Sequence, residues 1–364
     1  MLHFTKLLPI SLTAVLAVTV STNADDRSSE NTTKLAAFLK KFPAADADKD
    51  GILKWDEAVA FRKSQRQRKA KANQLQPDKA DVRYGKHPRN VLDFFRSKSA
   101  TPTPVLIYFH GGGFVAGDKA RARSLPVARD CLANGISVVS ANYRFVRGKN
   151  SEPFPGSLMD GVRVVQFVRT KAKDWNIDPD RIVLSGGSAG ALMSIWIAVH
   201  DDFRKPNSEI PVARQSSRVL GVISYGGQTT IDPRVIVKHI GGDPNIHPSI
   251  FPIFGIKSID ELDTPEMRSK VNEFCALTHV TKDDPPLQLH YGGKLAGTPL
   301  PPKTNVGVSI HHAMFGELIR LRYLKAGVTA KVELICRDCP DRGAKEIDFL
   351  RRVFKLKQPE VSAR

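Results

Sequence analysis

Residues 186–190 read Gly-Gly-Ser-Ala-Gly, with Ser188 between the apolar run "RIVLSGG" and the segment "AGALMSIWIAVHD". A G-x-S-x-G segment joining a strand to a helix is a sharp elbow that lifts the serine hydroxyl clear of the backbone. A second glycine cluster, His110-Gly111-Gly112-Gly113-Phe114, follows the apolar run "TPVLIYFH". Its N–H groups carry no obstructing side chains, as a pocket for a developing oxyanion requires. Either cluster alone could be a tight turn; the two together, in this order after strands, point to acyl transfer at Ser188. A serine hydroxyl is a weak nucleophile near neutral pH until a base takes its proton. The sequence therefore has to supply that base.

The elements that must position these residues are legible from about residue 80 onward. "TPVLIYFH", "GISVVSANYR", "RIVLSGG", "VLGVISYGG", "PPLQLHYGG" and "AKVELICR" read as successive strands. "MDGVRVVQFVRTKAKDW", "AGALMSIWIAVHD" and "MFGELIRLRYLKAG" between them read as helices. This alternation predicts an α/β fold, a mostly parallel sheet with helices on both faces. In such sheets the reactive groups gather beyond the carboxyl ends of the strands, so the loops following strands are where chemistry is expected. Residues 226–280 are longer than one crossover requires and predict a small cap or substrate wall. "IFPIF" at 250–254 is either an apolar lining for it or a buried turn.

In motif order, "VRYGKHPRNVLDFF", "HGGGFVAGDK", "ANYRF", "WNIDPDRIVLSGGSAG" and "DDPPLQLHYGG" resemble the α/β-hydrolase superfamily. Within it the chain is similar to HGGG-type microbial carboxylesterases, like hormone-sensitive lipase or bacterial feruloyl esterases. The resemblance spans 80–357, the expected α/β-hydrolase domain. It implies Ser188 as nucleophile, with the N–H groups of Gly112, Gly113 and Ala189 as oxyanion hole. It also implies ester cleavage through an acyl-enzyme without an organic cofactor.

That family places an Asp after the "PPLQLHYGG" strand and a His after the last strand, and this sequence has neither. No Asp or Glu occurs from Tyr291 to His312, and no His from Ala313 to Arg364. The two loops hold the reverse assortment: His311 and His312 in the first, Asp338 and Asp341 in "CRDCPDRGAKE". Because triads are recognised by geometry rather than chain order, an exchanged pair could still reach Ser188. The expected base is His311 or His312, and the expected acid Asp338. Against this, a helix N-terminus disfavours the imidazolium formed in catalysis. His290, inside a strand, and His110, in the glycine loop, read as structural. The alternative is a catalytically silent fold binding carbohydrate or envelope components.

A separate module precedes this domain, over 30–72. "DADKDGILKWDE" at 46–57 fits the calcium-loop pattern D-x-D-x-D-G-x5-E. Asp46, Asp48 and Asp50 alternate so that their carboxylates converge, Gly51 permits the turn, the Ile52 carbonyl faces the ion, and Glu57 closes the shell. Helical patterns flank the loop, and the whole resembles a single EF-hand of structural role. Lys54 stands where such loops bind through water, which lowers the expected Ca2+ affinity, and no partner hand is visible.

Met1–Ala24 carry one lysine, then "LLPISLTAVLAVTV", then small residues, the form of a secretory signal too short to span a membrane. The expected mature protein is periplasmic or extracellular, without a transmembrane segment. The formal charge of +18 favours anionic partners. Scattered basic residues and the lack of a recognition motif argue against nucleic acid and leave an anionic glycan or envelope surface. The run "FRKSQRQRKAKANQ" reads as a solvated basic helix and linker. Of the four cysteines, Cys336 and Cys339 form a CxxC with no second pair for zinc. A disulfide or buried free thiols are the two readings.

Overall fold

A computed structural model describes residues 27–72, 74–148, 151–243 and 249–356. The expected signal at 1–24 lies outside them. No helix among the described residues is long and apolar enough to cross a membrane. The chain divides into two compact units that meet at residues 74 and 75.

The first unit is two helices, α1 (Thr33–Lys41) and α2 (Trp55–Ala72), joined by a 3-10 turn and the acidic loop. Leu35, Ala45, Leu53 and Ala58 form its small core, with Phe38, Trp55 and Phe61 packed against them. The edge of the acidic loop, which the sequence leaves without a partner, is taken by the chain's own residues 27–29. Ser28 bridges Lys54 in antiparallel fashion. Ser29 N–H donates to the Leu53 carbonyl at 2.8 Å and Trp55 N–H to the Arg27 carbonyl at 2.9 Å.

The second unit is built on an eight-stranded sheet of order β1-β2-β4-β3-β5-β6-β7-β8. Its strands are β1 (Lys79–Arg83), β2 (Val91–Phe95), β3 (Thr103–Phe109), β4 (Ser137–Ala141), β5 (Ile177–Gly187), β6 (Val222–Tyr225), β7 (Leu287–His290) and β8 (Val332–Ile335). β1 and β2 are antiparallel and β3 to β8 are parallel. The last six are the strands expected from the sequence. The helices are α3 (Pro126–Ala133), α4 (Gly156–Thr170), α5 (Ala172–Trp175), α6 (Ala189–Val199), α7 (Pro233–His239), α8 (Ile250–Phe254), α9 (Pro265–Phe274), α10 (Val306–Ser309), α11 (Met314–Ala326) and α12 (Glu346–Phe354).

Alternation along the strands divides the core between two faces, because successive side chains point to opposite sides. Val105, Ile107 and Phe109 of β3, with Ile182 and Leu184 of β5, join the cluster that includes α4 and α6. Leu106 and Val183 join the one built with α3 and α12. α6 is buried along its whole length, which explains why its sequence is apolar on every side rather than on one stripe.

Charge is also used inside the fold. Asp93 of β2 is fully buried and meets Lys119 Nζ at 2.6 Å and Arg123 Nη2 at 2.7 Å. Burial alone would push its carboxyl up, but these two cations outweigh it and hold the group below the usual range.

The described residues of 226–280, namely 226–243 and 249–280, include short helices with residues packed in the main core. Ile250, Ile253 and Phe254 of "IFPIF" are buried in that core. The stretch is the short helix α8, and Phe251 in it is half-buried.

Candidate active site

Ser188 occupies the turn between β5 and α6 with φ 51° and ψ −117°. A non-glycine residue in such a conformation costs about 1–3 kcal/mol, so the surroundings must over-determine it. They do so from several directions. Ser188 N–H donates to the Tyr225 carbonyl at the end of β6, at 2.8 Å, and Leu192 N–H donates to the Ser188 carbonyl at 2.9 Å. A Cβ on Gly190 would lie 2.1 Å from the Phe109 carbonyl oxygen of β3. Only glycine lets the elbow press this closely on the neighbouring strand.

The HGGG loop lies against the elbow. A Cβ on Gly111 would stand 2.8 Å from the Gly187 carbonyl oxygen and 3.4 Å from Ser188 Cβ. Gly112 has φ 114°, a left-handed value, and a Cβ there would collide with the Ala116 carbonyl at 2.2 Å. Its carbonyl accepts from Val115 and Ala116, turning the strand end into a compact loop. Among the described residues the N–H groups of Gly112, Gly113 and Ala189 donate to no backbone carbonyl.

His110 fixes this loop, as its sequence position suggests. Burial pushes its imidazole down to about 4, so the ring is neutral at ordinary pH. Nδ1 donates to the Gly111 carbonyl at 2.8 Å, and Nε2 accepts from Arg89 Nη2 at 3.2 Å. The ring stacks on Tyr143, whose hydroxyl donates to the His110 carbonyl at 2.7 Å. Arg89 and Tyr143 have no catalytic motif to announce them and go unnoticed in the sequence.

Of the candidate histidines, His311 is the one the structure brings to Ser188. Its Nε2 is 2.9 Å from Ser188 Oγ. Its Nδ1 lies 2.9 Å from the Gly307 carbonyl, which sets the tautomer: Nδ1 donates, and Nε2 is free to accept from the serine. The chain is pinned on both sides of His311. Gln228 Nε2 donates to the Ile310 carbonyl at 2.6 Å and Thr229 Oγ1 to the Phe315 carbonyl at 2.8 Å, bracketing the histidine from the loop after β6. The ring lies over Gly226, where a Cβ would stand 3.1 Å from His311 Cδ2. The i−4 carbonyl of a short helix capped by Asn305 is the signal that could have nominated Gly307.

The remaining candidates fall elsewhere. His312 is buried, and its Nδ1 accepts from Met314 N–H at 3.1 Å, so it caps the start of α11 rather than meeting Ser188. Asp338 hydrogen-bonds neither histidine, although its charge partly offsets the burial that pushes His312 down. Its carboxylate accepts from Leu295 N–H at 2.6 Å and Ala296 N–H at 3.1 Å, which hold it below the usual range and tie down the loop after β7. Asp341 accepts from Leu334 N–H at 3.0 Å. The turn carrying Asp338 is closed by a Cys336–Cys339 disulfide, while Cys131 and Cys275 are buried free thiols. His290 stays within the sheet, stacked on Tyr225.

Two cavities open beside the Ser188–His311 pair. One of about 660 Å³ includes Ser188, with Leu125, Pro126 and Val127 as apolar wall and Tyr108, Arg121 and Glu346 as polar groups. Glu346 accepts from the Tyr225 hydroxyl at 3.0 Å. The other, of about 510 Å³, includes His311, Lys294, Leu300 and Arg337.

A parallel sheet with a nucleophile elbow after its fifth strand and a glycine loop beside it defines an α/β-hydrolase fold. Solved structures agree on this fold. The chain superposes with a TM-score of 0.58 on a truncated carbohydrate esterase from gut microbiota, at 19% identity, covering 78% of this chain and 98% of that one. An acetyl ester-xyloside bifunctional hydrolase from Caldicellulosiruptor lactoaceticus gives 0.54 at 21% identity, covering 71% and 86%. The chain belongs to the BD-FAE family, whose profile matches residues 92–296. Among curated relatives, a probable carboxylic ester hydrolase of Mycobacterium tuberculosis, LipM, is 25% identical over 58% of this chain and 47% of its own length. A probable isoprenylcysteine alpha-carbonyl methylesterase of Arabidopsis thaliana is 30% identical over 40% and 29%. The chain thus spans less than half the length of these relatives.

Proposed function

We propose that this protein is an exported serine carboxylesterase acting on acyl or acetyl esters of small molecules or polysaccharides. The observation that carries the reading is the 2.9 Å contact of His311 Nε2 with Ser188 Oγ, at an elbow flanked by the HGGG loop. Ser188 Oγ attacks the ester carbonyl as its proton passes to His311 Nε2. The carbonyl oxygen, now negative, is met by the N–H groups of Gly112, Gly113 and Ala189. His311 returns the proton to the leaving alkoxide, which departs and leaves an acyl-Ser188 ester. Water, its proton passing to the same histidine, then attacks the acyl carbon, and His311 returns that proton to Ser188 Oγ as the acyl–oxygen bond breaks and the acid leaves. The two cavities suit the two halves of an ester, and the mixture of tyrosine, charge and apolar wall beside Ser188 suits a hydroxyl-rich alcohol such as a sugar. The basic surface suits an anionic glycan or envelope.

The second reading, a silent fold that binds such components, is favoured by one observation: His311 is backed by a carbonyl rather than a carboxylate. The deciding experiment is hydrolysis of 4-nitrophenyl acetate. Turnover by the wild type and its loss in Ser188→Ala supports the esterase; equal rates in both proteins remove it.

The first unit we assign as a structural Ca2+ site. The donor set suits the ion: carboxylate oxygens of Asp46, Asp48 and Glu57 lie within 4.8 Å of one another. Asp46 Oδ2 accepts from Gly51 N–H at 2.9 Å, while its Oδ1 is buried without a hydrogen-bond partner among the described residues. Asp46, Asp48, Asp50, the Ile52 carbonyl and Glu57 would hold the ion, which would supply charge balance to the loop. Lys54 opposes it, since its ammonium bridges Asp48 and Asp50 at 2.8 and 2.9 Å.

A further inference from the structure

A second cluster of ligand-type side chains stands at the far end of α6, away from Ser188. His200 follows the helix, Glu273 lies in the last turn of α9, and His279 follows the 3-10 turn Ala276–Thr278. His200 Nε2 is 3.0 Å from Glu273 Oε1, and His279 Nε2 is 3.9 Å from Glu273 Oε2. The two imidazole centroids are 4.3 Å apart. One donor atom from each of the three residues lies within 4.8 Å of the other two. We propose that His200, Glu273 and His279 form a binding site for a divalent transition ion of the zinc type, which clamps the 226–280 segment to the nucleophile-bearing helix.

The donor set selects the class of ion. Two neutral imidazoles and one carboxylate suit Zn2+, Ni2+ or Cu2+, whereas Ca2+ requires a shell of oxygens. The spacing fits as well. Bonds of about 2.0–2.2 Å place tetrahedral donors roughly 3.4 Å apart; here each histidine lies 3.0 or 3.9 Å from a different oxygen of Glu273, and one donor atom from each residue lies within 4.8 Å of the other two. Binding asks little rearrangement of the frame. His279 Nε2 must release its 2.8 Å contact with the Glu273 carbonyl, but Trp196 Nε1 also donates to that oxygen, at 2.7 Å, so it keeps a partner. Trp196 is fully buried and packs against both imidazoles, which fixes the rings before any ion arrives. The histidine side chains are 15% and 17% exposed and that of Glu273 47%. An ion can therefore enter from solvent and keep water at its open positions.

The test uses the untagged full chain, stripped with chelator and titrated with ZnCl2 by calorimetry and thermal melting. One equivalent should bind and raise the melting temperature. His200→Gln and His279→Gln keep a hydrogen-bond donor toward Glu273, so their metal-free melting should match the wild type. Losing a partner of a ligand already costs roughly 10–100-fold in affinity, so losing a ligand should weaken zinc by more than about 100-fold. His311→Ala and Asp46→Ala should retain the site. Should the glutamine variants fail to fold, CoCl2 with the wild type gives an independent reading: visible ligand-field absorption that zinc displaces. Absence of zinc binding or of that absorption, or a site that survives both glutamine variants, overturns the proposal and leaves a hydrogen-bonded His-Glu-His network.

Discussion

Replacing His311 with alanine tests the chemistry most sharply, because the structure sets a magnitude as well as a direction. The proposed base has Gly307 O behind it at 2.9 Å and, among the described residues, no carboxylate hydrogen-bonded to it. In subtilisin, loss of the histidine costs about 2 × 10⁶ in kcat, while loss of the aspartate alone costs about 3 × 10⁴. A histidine working without its acid is therefore worth only about 10², or about 2.7 kcal/mol at 1.36 kcal/mol per decade. The Gly307 carbonyl holds the correct tautomer but lends no charge to the imidazolium, so this lower figure is the one that applies. His311→Ala should lower kcat/KM for 4-nitrophenyl acetate by about 10². His312→Ala, if folded, should stay within a few-fold, since its ring only caps α11. A change of less than about threefold in His311→Ala would refute the assignment of the base. A fall approaching 10⁶ would refute the acid-free arrangement and require a carboxylate to join His311 during turnover.

Two further outcomes concern the frame. Lys54→Gln in the full chain should bind Ca2+ more tightly than the wild type by calorimetry, because the competing ammonium at 2.8 and 2.9 Å is gone, while Asp46→Ala should bind none; equal affinities for wild type and Lys54→Gln would sink the competition argument. Asp93→Asn leaves the buried Lys119 ammonium only the exposed Asp81 carboxylate, at 2.9 Å, and should destabilise the main domain by up to about 3 kcal/mol in urea unfolding. Because the Asp93 carboxyl is held below its unfolded value, its contribution is present above that value and is lost as pH falls through the folded one. The gap between Asp93→Asn and wild type should accordingly narrow in acid, and a pH-independent gap would contradict the pairing.

Much of this molecule could be read without coordinates. The six parallel strands were visible because fully buried strands are apolar runs bounded by turn residues. The elbow and HGGG loop were visible because contacts as close as those of Gly190 and Gly112 tolerate no side chain. The acidic loop was visible because its carboxylates must alternate around a fixed glycine. Local geometry writes itself into local sequence in each case. What activates Ser188 is different in kind. His311 lies 123 residues from it, and its neighbour His312 is chemically identical in sequence. Contacts from distant segments, such as those of Gln228 and Thr229 with the Ile310 and Phe315 carbonyls, bear on which imidazole turns toward the serine. The missing acid was equally undecidable, because a backbone carbonyl carries no residue identity and Asp338 is claimed by the N–H groups of Leu295 and Ala296. The same holds for His200, Glu273 and His279, which three separate elements bring to one point. Sequence by itself determined the glycine-flanked elbow at Ser188, the HGGG loop and the sheet beneath them; tertiary packing alone chose which histidine meets the serine, because contacts between distant segments obey no spacing rule along the chain.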